Sequence, residues 1–537
     1  MFIFKLETAT ITKEINFDFK YQLALEITMS FKGNSQKAIK YFIPYQSELI
    51  EIFTSNQDKV IELFSNTFSK GINGYIIEQF ESYDKYIGAL ADAVSDEDKP
   101  LAKCLSNAIS IATLISMSNM AGLSLVNYVN RYLPQNKFNN TAIPDIGFVL
   151  FKTGKTMNSK VKFERFILFV DNSSKIDSEE IKEIFSRIYQ AIRKFLTAGK
   201  LGENGMRLNP ENSYYPPTDS LNDILKLIEG IITESNANDK LYYGIDCNAN
   251  NYYTEEINQY EMDGFKKPPE IEQLIDFYIK LCSDHPSLRY MEDPLASKDI
   301  RGWSKLLTKF AEAKPNVKIV CKSMINESIG QLSELIDEKE KEEDNIPGKI
   351  KNTLDPNYRS RLINNVPRPE DVKEELTELE KRKIEEEERK KREAEEEAKR
   401  IAEEEEEKKR QEEMKKPGAK KQPEPPKPKK KTDEEIKKEK EEEEKALPPP
   451  LPLNIKNIAL RLGNFKNLTE LYDLGTKAKT KGIEISIYDN TNETEQSGII
   501  DIGLSSRVSR IILNGFTIRN DKMEKMIKYI HTIDQLY

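Results

Sequence analysis

The sequence predicts an α/β protein in which a βα-barrel follows a small α+β domain. Residues 1 to about 50 alternate apolar and polar side chains as strands do, and residues 55–132 carry helical periodicity. Between Lys240 and Phe310 two apolar runs flank an amphipathic helical pattern, which is the order of a βαβ unit. The early strands and helices therefore predict the small domain, and the later alternation of strands and helices predicts the barrel.

The small domain is expected to contain a three-stranded antiparallel sheet and a buried helix pair. The three alternating runs are FIFKLETATI, FKYQLALEITMSF and KAIKYFIPY. The later segment LAKCLSNAISIATLISMSNMAGLSLVNYVNRYL is apolar on nearly all sides, which is typical of helices that lie inside a core.

Each strand of the βαβ unit ends in a carboxylate. Asp246 ends LYYGID, and the second strand ends at Glu292, which is followed by Asp293 and Pro294. A βα-barrel keeps its functional groups at the carboxyl ends of its strands. Asp246 and Glu292 are therefore the first candidate site residues.

Composition excludes several classes of function. The 82 Lys and Arg residues nearly balance the 91 Asp and Glu residues, so the net charge of -9 argues against a nucleic-acid surface. The four cysteines are scattered, and His285 and His531 are too isolated to bind a metal or form a triad. The first residues lack a leader pattern and no run approaches 18 apolar residues, so we expect a soluble protein on the cytoplasmic side without a membrane segment.

The excess of charge lies in a long insertion. Residues 370–416 are almost only Glu, Lys and Arg, with glutamates four positions before basic residues. This orientation stabilises a helix by about 0.2–0.5 kcal/mol per pair, and the few apolar residues keep no heptad, so a single solvated helix is expected rather than a coiled coil. A basic, proline-rich spacer follows. The PPPLP at residues 448–452 is either part of that spacer or a ligand for an SH3, WW or profilin-like partner.

The order of these elements resembles enolase. A strand ending in Asp, a helix, a strand ending in Glu-Asp-Pro, and then a Trp followed by a helix match that family, and SNAISIATLISMSNMAGLSLVNYV reads much like a helix of its N-terminal domain. The resemblance implies an enolase-type βα-barrel preceded by a small α+β cap domain. The predicted domains are residues 1–135 for the cap, 136–340 and 454–537 for the two parts of the barrel, and 341–453 for the insertion. The insertion is expected in a helix-to-strand connection, on the barrel face opposite the family's active site.

By the same resemblance, Asp246 and Glu292 correspond to two of the three carboxylates that hold the family's catalytic Mg²⁺. The third falls at Lys322 or Ser323 of CKSMIN. We expect Asp246 and Glu292 to be vestigial, and a charged nitrogen of Lys322 or Arg461 to lie within about 4 Å of one of their oxygens.

The other positions of the family's site also differ. The base lysine corresponds to Arg461, and a guanidinium with a pKa above about 12 is no general base near neutral pH. The acid corresponds to Asn204, although Glu203 is adjacent. The active-site His falls at Thr156, the phosphate loop becomes YDNTNET around Asp489, and the second Lys falls near Leu513. No intact catalytic residue and no substrate-binding residue is expected at these positions.

Three functions remain open. The first is a non-catalytic scaffold similar to the divergent enolase-like proteins of sperm flagella and motile cilia, which also carry a charged insertion. This resemblance implies a cytoskeletal location in the ciliary axoneme. It also implies axonemal or cytoskeletal partners, which would bind through residues 341–453. The second is a residual enolase, a Mg²⁺-dependent lyase that dehydrates 2-phosphoglycerate to phosphoenolpyruvate. The third is a small-molecule sensor that keeps the pocket without turnover. No cofactor is expected unless activity is retained, in which case Mg²⁺ is required, and the family resemblance allows a dimer.

Overall fold

A computed structural model describes residues 3–15, 21–31, 35–45, 49–133, 143–173, 176–198, 202–209, 212–326, 455–489, 498–517 and 520–536. Met1–Ile336 and Pro450–Tyr537 form one compact unit. The predicted helix of residues 370–416 and the PPPLP segment lie outside the described residues.

The N-terminal domain is a sheet covered by helices, as predicted. Its strands are β1 (Phe4–Ile15), β2 (Tyr21–Phe31), β3 (Ser35–Phe42) and β4 (Ile76–Ile77), in the order β3-β2-β1-β4. All pairs are antiparallel. Strand β4 was not predicted, because two residues are too few to show an alternating pattern.

The helices of this domain include the buried pair that the sequence predicts. They are α1 (Ile50–Ser55), α2 (Gln57–Leu63), a π-helical turn (Phe64–Ser69), α3 (Lys70–Ile72), α4 (Phe80–Asp92), α5 (Lys99–Met120) and α6 (Leu125–Tyr132). Helix α5 is long and apolar enough to cross a membrane, but its most apolar window is 89% buried inside the protein. Helix α5 therefore packs as a core helix of the N-terminal domain.

The second domain is an eight-stranded barrel. Its strands are β5 (Asp145–Lys152), β6 (Arg165–Val170), β7 (Leu241–Asp246), β10 (Leu288–Glu292), β11 (Lys318–Val320), β12 (Asn457–Arg461), β13 (Glu484–Tyr488) and β14 (Arg510–Leu513). They pair in the order β11-β10-β7-β6-β5-β14-β13-β12. A parallel bridge between Cys321 and Ile458 joins the two ends of this order and closes the ring.

Helices surround the barrel. They are α7 (Ser178–Thr197), α8 (Leu221–Glu234), α9 (Ile271–Asp284), α10 (Ile300–Ala313), α11 (Ser323–Asn326), α12 (Leu468–Thr480), α13 (Gly498–Ser505) and α14 (Asn520–Leu536), and a short hairpin of β8 (Tyr253–Thr254) and β9 (Gln259–Tyr260) precedes α9. Several begin with a side-chain cap of the kind that starts helices in general. Asp177 caps α7, Asp299 caps α10, and Glu270 with Gln273 forms a capping box on α9.

One strand runs against the others. Strand β6 is antiparallel to both β5 and β7, while the remaining described pairs in the ring are parallel. A simple βα-barrel has only parallel strands. Because of this reversal, Arg165, the first residue of β6, pairs in register with Asp246, the last residue of β7.

Aromatic rings fill the barrel interior. Phe169 stacks on Tyr242 with 4.7 Å between ring centroids, and Tyr290 lies 4.9 Å from Phe169. Gly244 makes this packing possible, because a Cβ at that position would lie 2.6 Å from the ring of Tyr290. These rings form the packed interior of the barrel between its two ends.

Candidate functional site

The candidate site is a group of five charged residues at one end of the barrel, which we call the Lys322 cluster. Its members are Arg165, Asp246, Glu292, Asp293 and Lys322, and both Asp246 and Glu292 are fully buried. The group lies where β7 and β10 end and β6 begins.

Strand register brings these side chains together. Glu292 pairs in register with Asp246, and Asp246 pairs with Arg165 on its other side. Residues that pair directly across strands have their side chains on the same face of a sheet. Glu292 also pairs with Val320, and Lys322 follows Val320 by two positions, which is the spacing of residues on one face.

The ammonium group of Lys322 binds both carboxylates. Its Nζ lies 3.0 Å from Glu292 Oε2 and donates a second hydrogen bond to Asp246 Oδ2. The side chain of Lys322 is only 9% exposed, so this contact is shielded from water. The prediction that Lys322 or Arg461 reaches one of these carboxylates is confirmed for Lys322.

Other side chains also donate hydrogen bonds to these two carboxylates. Arg165 Nη1 lies 3.1 Å from Asp246 Oδ2. The hydroxyl groups of Tyr290 and Tyr488 donate to Glu292 Oε1 at 2.5 Å and 2.6 Å. Each buried carboxylate therefore has a cation and further hydrogen bonds, as a buried charge requires.

Asp293 holds the backbone of the cluster. It adopts a left-handed conformation with φ of 42°, and its Oδ1 accepts the backbone N–H of Lys322 at 2.8 Å. The side chain and the backbone N–H of Ser323 also donate to its carboxylate. Asp293 thus positions the chain at the point where Lys322 turns toward the two carboxylates.

The pKa directions follow from this arrangement. Burial by itself raises the pKa of Asp246, but the charges of Lys322 and Arg165 outweigh burial and hold it below its ordinary value. Burial lowers the pKa of Lys322, and the three neighbouring carboxylates outweigh that effect and raise it. Burial raises the pKa of Asp293 to about 6, against the opposing effect of Lys322. Lys322 and Asp246 are therefore an ion pair at neutral pH.

The arrangement does not fit Mg²⁺. This ion takes near-octahedral oxygen ligands, whereas here an ammonium group lies between the two carboxylates. Across the described ranges no group of three or more His, Cys, Asp or Glu side chains is arranged to hold a metal. The third ligand position of the resemblance holds a cation instead of a carboxylate.

Most of the other predicted positions do not join the cluster. Arg461 ends β12 and pairs in register with Tyr488, and the ion pairs of Asp246 and Glu292 within the described part of the chain are with Arg165 and Lys322. Leu513 ends β14 and is fully buried as a core residue. Asp489 follows β13 and binds the buried Lys525.

The loop positions have surface contacts. Asn204 is exposed in a short turn, and its carbonyl oxygen accepts the N–H of Arg207. The adjacent Glu203 pairs with Arg193 on α7 at 2.9 Å, where both side chains are mostly exposed. The hydroxyl of Thr156 donates to Glu164 at 2.7 Å, and Glu164 is the residue before Arg165 of the cluster.

Arg165, Tyr290 and Tyr488 were not predicted as members or donors of the cluster. Tyr290 was within reach of a sequence argument, since it precedes Glu292 by two positions and so lies on the same face of β10. Arg165 required recognition that β5 and β6 form a hairpin, which places the start of β6 at the same end of the barrel as Asp246. Tyr488 required the barrel to close.

Comparison with known proteins agrees with this geometry. Residues 141–343 match the family model described as the enolase C-terminal TIM barrel domain. The chain is 30% identical over 207 residues to the enolase of Sulfurisphaera tokodaii. The aligned region covers 38% of this chain and 45% of that protein. It is 24% identical over 199 residues to the enolase of Methanococcus aeolicus, and this alignment covers 37% of this chain and 44% of that protein.

The enolase of Metallosphaera sedula is 25% identical over 203 residues, which covers 37% of this chain and 46% of that protein. The chain thus spans about half the length of the curated relatives it matches. The matched region contains Asp246, Glu292 and Lys322, the residues at the centre of the cluster. The barrel match and the closed eight-stranded ring together show that residues 141–343 are similar to the C-terminal TIM barrel domain of enolases.

Proposed function

We propose that this chain is a catalytically degenerate enolase homologue that acts as a structural scaffold. The observation that carries the proposal is the ammonium group of Lys322, which binds Asp246 and Glu292 at the same time. By the family resemblance those two carboxylates would hold the catalytic Mg²⁺. The ammonium group neutralises buried carboxylate charge in that place and competes with the metal for the same oxygens.

The positions matched to the acid and the base support the same proposal. Arg461 stands where the resemblance places the base, and a guanidinium keeps its proton near neutral pH. Asn204 stands where it places the acid, and Glu203 beside it pairs with Arg193 at the surface. General acid and base groups each contribute about 100- to 10,000-fold to rate.

A coupled assay with 2-phosphoglycerate and saturating Mg²⁺ tests the loss of catalysis. We expect no dehydration above background from the full chain, measured beside the enolase of Sulfurisphaera tokodaii as a positive control. A turnover within tenfold of that control would overturn the proposal and establish a residual phosphopyruvate hydratase, the alternative that the retained Asp246 and Glu292 favour.

The scaffold is proposed for the ciliary axoneme, in its central apparatus. The support is the resemblance to divergent enolase-like proteins of flagella and motile cilia, together with the charged insertion of residues 341–453. The insertion is proposed to bind axonemal or cytoskeletal partners, because a segment so rich in Glu, Lys and Arg offers many charged side chains for ionic contacts.

Localisation in a ciliated cell tests this part. A tagged full chain is expected along the axoneme, and a variant without residues 341–453 is expected to stay in the cell body. A uniform cytoplasmic signal for both proteins would exclude an axonemal scaffold. Axonemal signal for the shortened variant would place the partner contact on the folded domains instead.

A further inference from the structure

A large cavity lies at the end of the barrel opposite the Lys322 cluster. It has a volume of about 790 Å³. Its lining includes Asp145, Lys318 and Arg510, which are the first residues of β5, β11 and β14. The parallel strands that end at the Lys322 cluster therefore begin at this cavity, which we call the rear cavity.

Arg510 is the buried cation of the rear cavity. Its side chain is 6% exposed, its Nη2 donates to Glu484 Oε2 at 2.7 Å, and its Nε donates to the hydroxyl of Tyr242 at 3.2 Å. Its Nη1 is buried and has no hydrogen-bond partner within the described part of the chain. Its guanidinium carbon also lies 5.4 Å from the centroid of the Tyr290 ring, so Arg510 is a fixed positive charge in the wall of the cavity.

The charges around the cavity are not balanced. Four basic side chains line it (Arg289, Lys314, Lys318 and Arg510), and three carboxylates lie in it or bind its cations (Asp145, Asp171 and Glu484). Each carboxylate already has donors. Lys318 binds Glu484 at 2.7 Å, Arg289 lies 3.8 Å from Asp171, and Tyr242 donates to Asp145 at 2.7 Å.

Lys314 provides the surplus charge. Among the residues described by the structure, no carboxylate lies within 4 Å of its Nζ. It follows α10 at the rim of the cavity, where Pro315 and Asn316 continue the lining. The cavity thus has one half-buried cation at its rim, without an ion-pair partner among the described residues, and one buried cation in its wall.

We propose that the rear cavity binds a small anionic metabolite that carries a phosphate or carboxylate group. Guanidinium and ammonium groups recognise both kinds of oxyanion through charge-assisted hydrogen bonds. The volume lies within the range of about 300–1,000 Å³ that small-molecule sites occupy. This site uses none of the residues of the Lys322 cluster, so it is independent of whether the family's chemistry survives.

Isothermal titration of the full chain tests the proposal. The probes are inorganic pyrophosphate for the phosphate class and citrate for the carboxylate class. We expect one of them to bind, and Lys314→Glu and Arg510→Gln each to weaken that binding by about tenfold or more, the usual effect of losing a charge-assisted hydrogen bond. Whichever probe binds identifies the class of ligand.

Lys226→Glu is the matched control, because it makes the same change of charge at an exposed position of α8. It should leave the affinity unchanged. If Arg510→Gln does not fold, which circular dichroism would show, Lys314→Glu decides alone, since Lys314 has no ionic role in the described fold. Absence of binding by both probes, or equal weakening by Lys226→Glu and Lys314→Glu, would overturn the proposal.

Discussion

Replacement of Lys322 by Met is expected to destabilise the barrel strongly. The change removes the cation between Asp246 and Glu292 while keeping most of the side-chain volume. Arg165 remains on Asp246, but among the described residues Glu292 keeps only the hydroxyl groups of Tyr290 and Tyr488 as side-chain donors. Removing one partner of a buried ion pair costs about 3–5 kcal/mol, and we expect a loss of that size in the free energy of unfolding at pH 7.

The charge of the cluster explains the magnitude. With Arg165 and Lys322 against three carboxylates, the intact cluster has a net charge of about -1 when all are ionised, and Lys322→Met doubles that excess. A second change, Glu292→Gln, returns the net charge to that of the native cluster. The double variant is therefore expected to recover a large part of the lost stability.

A double-mutant cycle measures the coupling between Lys322 and Glu292. It compares urea unfolding of the native chain, both single variants and the double variant. The coupling energy between Lys322 and Glu292 should exceed about 1.5 kcal/mol, which is above the value of exposed pairs. A loss below about 1 kcal/mol for Lys322→Met, or a double variant no more stable than Lys322→Met, would refute the idea that this lysine holds the two carboxylates together.

Three further changes test other parts of the structure. Lys322→Asp supplies a third carboxylate, so Mg²⁺ should raise the melting temperature of this variant and leave that of the native chain unchanged. A rise in the melting temperature of both proteins would contradict the exclusion of Mg²⁺ by the lysine. Burial raises the pKa of Asp84 to about 6, so this group stabilises the fold below about pH 4 and loses that contribution, about 3 kcal/mol, as pH rises through 6. Asp84→Asn should remove this pH dependence from urea unfolding between pH 4 and 7, and an unchanged slope would show that Asp84 titrates normally. Asn107→Leu removes two hydrogen bonds from the cap domain to the carbonyl groups of Leu462 and Phe465. It should lower the free energy of unfolding by about 1–3 kcal/mol in the same urea assay. An unchanged free energy of unfolding would mean that the cap domain packs on the barrel without these hydrogen bonds.

Much of the fold was predictable because local patterns and global structure agree. The strand that ends at Asp246, helix α9 and the strand that ends at Glu292 stand where the apolar runs and the helical period place them. The buried helix pair of the cap was visible in the apolar run that forms α5 and α6. The reversal of β6 was not predicted, since an apolar run has no direction.

The candidate site was predictable only in part. Asp246, Glu292 and Lys322 were identified as a group by resemblance and by their places at strand ends, and the expected ion pair is present. The additional donors Arg165 and Tyr488 come from strands that are distant along the chain. Their contacts depend on strand register and on closure of the ring, which no local pattern reports.

The sequence by itself determined which residues stand at the ends of the strands, because hydrophobic periodicity and the residues that end it are local properties. Only the tertiary structure decided what those residues do to one another. An electrostatic interaction depends on the distance between charges and on their burial, and both were set when the barrel brought Lys322 between two carboxylates that are 76 and 30 positions away along the chain. The same closure placed Arg510 at the rear cavity, with a donor that the strand sequence alone does not reveal.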